Sequence, residues 1–249
     1  MAKKYDNSHY ISLSDMMTGL MLVFMFISVA FMVKIQYDSN PERIKELENC
    51  EHMKEQYFAK KDSMYSDLKK EFERDLKRWN AEITPDLSFK FTEKTAQFDT
   101  NEAELRDEFK EKLQEFFPRY IATIMPYKDR IQEIRIEGHT DTTGPCDSSQ
   151  EQGCVIKAGP YQIDGPYTNE QKNYLYNMAL SQARAKNVLA YCLTLGGDFP
   201  YMKDFITANG LSYSKMLKTE DGKEDLEASR RVEFRVLLNA EDALKEGAK

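Results

Sequence analysis

Hydrophobic and polar positions divide the chain into three regimes. The first is an unbroken apolar run from Met16 to Val33, MMTGLMLVFMFISVAFMV, without one charged residue. As a helix it would cover roughly 27 Å, close to the ~30 Å hydrocarbon core of a bilayer. A membrane-spanning helix is therefore expected over 11–35, behind an N-terminal tail at 1–10. The second regime, from Pro41 to about Ala81, is rich in Glu, Lys and Arg and has no glycine or interior proline. That composition predicts one long helix. Leu47, Tyr57, Met64, Leu68, Phe72, Leu76 and Trp79 form an imperfect heptad interrupted by lysines, which points to a helical linker or weak coiled coil over 36–82.

The third regime, 83–240, alternates strand and helix periodicities. Leu87 to Thr92 and Ile131 to Gly138 alternate as half-buried strands. Asp99 and Thr100 are placed to cap a helix from Asn101 toward Phe117, with Phe109, Leu113, Phe116 and Phe117 at helical spacing. A second helix is predicted from Tyr174 to about Leu195, with Leu180, Ala183, Val188 and Cys192 or Leu193 on its apolar side. Phe205 to Asn209 is a short strand and Arg231 to Leu238, RVEFRVLL, a final one. Between them, 142–173 is an aperiodic insert containing glycine, proline and cysteine. The fold class is α+β: one membrane helix, a helical linker, and an α/β sandwich of one sheet with covering helices. The segment 241–249 is a tail.

Charge narrows the partners. The chain carries a formal net charge of −7, and no basic stripe with interleaved aromatics is present, which argues against direct nucleic-acid binding. Lys3 and Lys4 precede the apolar run, whereas Asp38, Glu42, Glu46 and Glu48 follow it, and Lys34 at the helix end can snorkel. The positive-inside rule then places the N-terminus in the cytoplasm and the rest outside. The run is longer than a signal-peptide core and has no small-x-small cleavage site, so an uncleaved anchor is expected. Four cysteines fit an oxidising compartment. Cys146 and Cys154 bracket the short polar loop DSSQEQG and are the pair expected to bridge. Cys192 lies in an apolar stretch, AYCLTL, and is expected to be buried. Cys50 is either a free thiol or a crosslink between two copies. No zinc-type spacing occurs, and no metal or cofactor is expected.

Asp15, at the lip of the apolar run, carries the candidate chemistry there. An acid at the centre of a membrane helix costs on the order of 2.5–3.5 kcal/mol, and less near the edge, so it calls for a reason. One reading is a helix cap, since Ser12, Ser14 and Asp15 all precede the run. The other is an ion or proton relay. Thr18 and Gly19, three and four residues on, give Asp15 a small, polar helix face suited to a partner helix or a hydrated path. That face favours the relay.

Four blocks in the third regime resemble the OmpA-like peptidoglycan-binding family. They are Ile134-Arg135-Ile136-Glu137-Gly138-His139-Thr140-Asp141, Asn177-Met178-Ala179-Leu180-Ser181-Gln182-Ala183-Arg184-Ala185, Ala208-Asn209-Gly210 and Ser229-Arg230-Arg231-Val232-Glu233-Phe234. Their order is the family's. By this resemblance Asp141 would take the ammonium and Arg184 the carboxylate of diaminopimelate in a peptidoglycan stem peptide, with Thr140 and Asn177 adding neutral hydrogen bonds. The segment between Asp141 and Arg184 exceeds the family's by roughly thirty residues, well beyond an ordinary connection.

An anchor with an early Asp, a linker and an OmpA-like domain is the layout of MotB-type stator subunits. Ser14-Asp15-Met16-Met17-Thr18-Gly19-Leu20-Met21-Leu22-Val23-Phe24 resembles the spans of the B subunits of Zorya antiphage systems more than the aromatic-rich start of flagellar stators. The resemblance implies a homodimer inside a ring of a MotA-like A-type membrane subunit, with ions, protons or sodium, passing through Asp15. It also implies anchorage of an inner-membrane protein to peptidoglycan from the periplasm. A flagellar stator and a passive envelope tether are the competing readings. No enzyme is implied: His139, Asp141 and Ser181 are accompanied by no nucleophile elbow or phosphate loop.

Overall fold

The computed structural model describes residues 8–38, 41–92, 97–99, 101–147, 149, 154, 156, 163, 165–195 and 202–239. The chain divides into two compact units, with the boundary between Glu55 and Gln56. In the first, helix α1 spans Ser8–Asp38. Within it, Met16–Tyr37 is long and apolar enough to cross a membrane, at a mean hydropathy of 2.4. Its 22 residues are all solvent-facing within the protein. A helix apolar on every side has no stable place in water and finds it in lipid or in another protein.

Helix α2 spans Pro41–Trp79. Its second half departs from the expected linker. Met64, Leu68, Phe72 and Trp79 are at most 2% exposed and belong to the core of the second unit. The spacing that suggested a coiled-coil seam is thus the face α2 lays against its own domain. The domain accordingly begins within α2 rather than near Ile83. Arg119 fixes this contact from the other side: Nε reaches Glu71 Oε1 at 2.7 Å and Nη1 reaches Asp75 Oδ2 at 2.8 Å.

A five-stranded sheet follows, in the order β1-β2-β5-β3-β4. The strands are β1 (Ala81–Thr84), β2 (Ser88–Thr92), β3 (Ile131–His139), β4 (Ile206–Gly210) and β5 (Arg231–Leu238). β3 and β4 run parallel, joined through helix α4 (Asn169–Thr194), and the other pairs are antiparallel. Alternation splits the sheet into two chemical faces. Phe89, Phe91, Ile134, Ile136, Val232 and Phe234 build the core with α2, α4 and helix α3 (Asp107–Ile124). Ser88, Lys90, Glu137, His139, Arg231, Glu233 and Arg235 alternate with them on the opposite face.

Several expected boundaries shift. α3 starts at Asp107, not Asn101, because Phe98 and Leu105 first form an isolated antiparallel bridge. It then runs through the exposed Pro118 to Ile124. α4 begins five residues before Tyr174, where Thr168 and Gln171 form a reciprocal capping box. β1 was not anticipated. Two glycines set the sheet-to-helix distance: a Cβ on Gly138 would lie 2.3 Å from Ser181 O, and one on Gly210 2.3 Å from Gln182 N.

Candidate binding cleft

The end of β3 delivers Thr140 and Asp141 to a cleft of about 160 Å³. Its walls come from four parts of the chain: Asn101; Thr140, Asp141 and Thr143; Asn177, Leu180 and Arg184 on α4; and Arg230 before β5. The four residues assigned by resemblance therefore share one cavity, although 36 to 44 residues separate the strand pair from the helix pair.

Their roles are more divided than the motif suggests. Asp141 is 2% exposed. Oδ1 accepts from Thr143 N at 2.9 Å and from the Thr143 hydroxyl, in the manner of an Asx turn. Oδ2 pairs with Arg230 Nη1. Burial pushes the Asp141 carboxyl above its ordinary value, against the Thr143 hydrogen bonds that favour the charged form. Arg184 is also buried and partly committed: Nε donates to Glu102 O at 2.9 Å, Nη2 to Asp99 O at 3.3 Å, and the guanidinium lies 4.8 Å from the Phe98 ring centroid. It is a cation held rigidly by backbone carbonyls. Thr140 Oγ1 is buried and has no hydrogen-bond partner among the described residues. A buried hydroxyl left unsatisfied normally costs about 1–3 kcal/mol, which a bound ligand group would recover.

Arg230 is the cleft residue missed as a site residue. Asn177, in turn, belongs to a ladder on α4. Asn177 Nδ2 donates to Thr143 O, Asn173 exchanges two hydrogen bonds with the Cys146 backbone, and Asn169 contacts Cys154 N and Asp147 O. Repeating every four residues, the three amides pin the start of the insert to one helix face. Cys146 and Cys154 are joined by a disulfide, with Cα atoms 5.5 Å apart, which closes that segment. Most of the insert between 148 and 164 lies outside the described residues. Cys192 is buried and Cys50 exposed.

Beneath the cleft, His139 is 2% exposed between Glu137 and Glu233, with Nε2 3.8 Å and 3.6 Å from their carboxylates. Burial, together with Arg231 and Arg235, holds its pKa down to about 3. Burial pushes Glu233 upward, yet Arg231, His139 and the Ser88 hydroxyl outweigh it and leave the carboxyl at about 2. The three side chains have ligand atoms within 4.8 Å of one another. Arg231 Nε, 2.6 Å from Glu233 Oε1, and Arg235 already neutralise the two acids. A divalent ion would add uncompensated charge, so the group reads as a polar core. Ser181 Oγ donates to Met178 O and accepts from Ser212 N, a structural role.

Asp15 and Thr18 lie on α1. The Asp15 side chain falls outside the described residues; Thr18 is exposed.

These features define a class: a five-stranded α/β sheet domain with covering helices, preceded in sequence by an N-terminal apolar helix. The sequence is 36% identical over 245 residues to the Zorya protein ZorB of Escherichia coli (Crooks strain), covering 96% of this chain and 92% of that protein. It is 26% identical over 241 residues to the Zorya protein ZorB of Escherichia coli O139:H28, covering 93% and 80%. The chain belongs to the ZorB family of Zorya proteins. Among solved structures, a putative MotB-like protein from Desulfovibrio vulgaris matches at 18% identity, a TM-score of 0.48, and 74% and 95% coverage of the two chains. No family model matches the sequence.

Proposed function

We propose that this chain is the wall-anchored membrane subunit of an ion-driven rotary motor in antiphage defence. Two copies place α1 inside a ring of MotA-like A-type subunits. Asp15, with Thr18 on the same helix face, passes protons from outside to the cytoplasm. Membrane potential supplies about 2.3 kcal/mol per charge per 100 mV. The N-terminus is cytoplasmic and the second unit periplasmic, where it grips peptidoglycan and holds the dimer fixed while the ring turns. Membership of the ZorB family, the exposed, strongly apolar helix Met16–Tyr37 and the disulfide outside that helix support this reading.

One observation carries the anchoring step. The cleft sets a buried carboxylate, Asp141, beside the guanidiniums of Arg184 and Arg230 and the unsatisfied Thr140 hydroxyl. Opposed fixed charges in a small cavity suit a zwitterion: the ammonium of diaminopimelate goes to Asp141 and its carboxylate to the arginines. Co-sedimentation of the full chain in detergent with purified sacculi tests this. Asp141→Asn, close in shape but uncharged, should weaken retention at least tenfold while the variant remains folded by circular dichroism at the assay temperature. Retention equal to wild type would exclude Asp141 from recognition.

A further inference from the structure

A second concavity, of about 530 Å³, lies over the first turns of α4 and is larger than the cleft. Tyr167, Glu170, Gln171, Tyr174, Leu175 and Tyr213 line it. Tyr174 and Tyr213 meet edge to face, with ring centroids 5.1 Å apart and planes at 85°. Tyr167 and Leu175 are 39% and 37% exposed, so the wall is both apolar and accessible. The three tyrosine hydroxyls have no hydrogen-bond partner among the described residues. Three aromatic rings with hydroxyls at their tips, one carboxylate and one amide make a surface that stacks on apolar faces and hydrogen-bonds at the rim. Among the described residues no lysine or arginine lines it, which disfavours phosphate and nucleic acid. Its chemistry matches an uncharged sugar ring, apolar across its C–H face and hydroxylated at its edge.

The groove is coupled to the cleft. Ser212 Oγ donates to Tyr174 O, and Ser212 O accepts from Thr140 N, so one residue ties Tyr174 and the neighbouring Tyr213 to the cleft floor. Along α4, Asn177 and Arg184 follow Tyr174 by three and ten residues, about 5 and 15 Å at about 1.5 Å per residue. In peptidoglycan, diaminopimelate is the third residue of the stem peptide. An extended chain places it about 10 Å from the sugar that bears it, at about 3.3–3.6 Å per residue. The separation of groove and cleft matches that reach.

We infer that the tyrosine groove binds the N-acetylated glycan strand of peptidoglycan while the Asp141 cleft holds the stem peptide of the same strand. This rests on the anchoring role proposed for the cleft. Calorimetry on the full chain in detergent would use two separate probes: the peptide-free β-1,4 tetramer of N-acetylglucosamine, and the stem tripeptide ending in diaminopimelate. Wild type should bind both. Tyr167→Ala and Tyr174→Ala should each weaken the tetramer at least tenfold and the tripeptide less than twofold, with Tyr174→Phe, which keeps the ring, close to wild type. Asp141→Asn should do the reverse. Tripeptide binding without tetramer binding would overturn the groove and leave the cleft. Tetramer binding sensitive to the tyrosines, without tripeptide binding, would uphold the groove and overturn the cleft. Loss of both ligands in the tyrosine variants, or tetramer binding indifferent to them, would refute the assignment.

Discussion

Replacing Phe72 by alanine tests whether the second half of α2 is part of the folded domain. Phe72 is fully buried, and its ring centroid lies 5.9, 5.3 and 5.4 Å from those of Trp79, Phe89 and Phe116. The Arg119 guanidinium covers it at 4.8 Å. Truncating a buried phenylalanine costs about 3–5 kcal/mol through lost transfer energy and the cavity left behind. Loss of three aromatic contacts places this site toward the upper end. With a urea dependence of about 2–3 kcal/mol per M, the midpoint should fall by about 1–2 M. Trp79, the chain's single tryptophan, touches Phe72 and reports the transition by fluorescence. The control is Phe58→Ala on the same helix, 46% exposed, which should stay within about 0.5 kcal/mol of wild type. If both variants unfold at the wild-type midpoint, α2 is a linker and the packing described above is wrong.

Two further outcomes follow from the sheet. Gly138→Ala would drive a methyl group into Ser181 O, a backbone atom that cannot swing aside, and should cost about 1–3 kcal/mol, read as a lowered thermal midpoint. His139 gives a pH signature. The unfolded imidazole takes its proton near 6.5 and the folded one not until about 3, so native stability is full above 6.5 and is lost as pH falls toward 3. The slope is about 1.4 kcal/mol per pH unit. Glu233, depressed from 4.5 to about 2, adds a loss in the same direction only below about 4.5. Glu137 and Asp141, both raised by burial, act in the opposite direction as pH falls, so the histidine is read from the difference between wild type and His139→Gln: the wild-type urea midpoint should drop relative to that variant between pH 6.5 and 5. Lys90, Arg231, Arg235, Glu137 and Glu233 all face the imidazole.

The sheet was largely legible because its strands obey one rule. IQEIRIEG and RVEFRVLL each send alternate residues, Ile134 and Ile136 or Val232, Phe234 and Val236, into the aromatic core, although the register shifts between Ile131 and Glu133 and the polar face is itself buried at Glu137, His139, Arg231 and Glu233. Asp99 and Thr100 misled because a good capping pair was followed by a turn, and α3 instead starts after Arg106, which makes no side-chain cap. The buried half of α2 looked like a coiled coil because a helix packed on its own domain and one packed on a partner share the same apolar spacing. In the cleft, motif spacing located Thr140, Asp141, Asn177 and Arg184. Arg230, 89 residues from Asp141, reads locally as the start of a strand, and only the antiparallel β3–β5 pairing brings it across. The carbonyls of Asp99 and Glu102 that orient Arg184 left no trace in sequence, since any residue supplies a carbonyl.

The most direct test of the ion-driven role is phage plating on cells carrying the native operon, with wild type compared to Asp15→Asn at matched expression. The amide keeps size and hydrogen bonding but cannot cycle a proton. Protection by wild type and its loss in Asp15→Asn is the result predicted here. Equal protection by both would contradict it, making Asp15 a helix cap and the chain a passive tether.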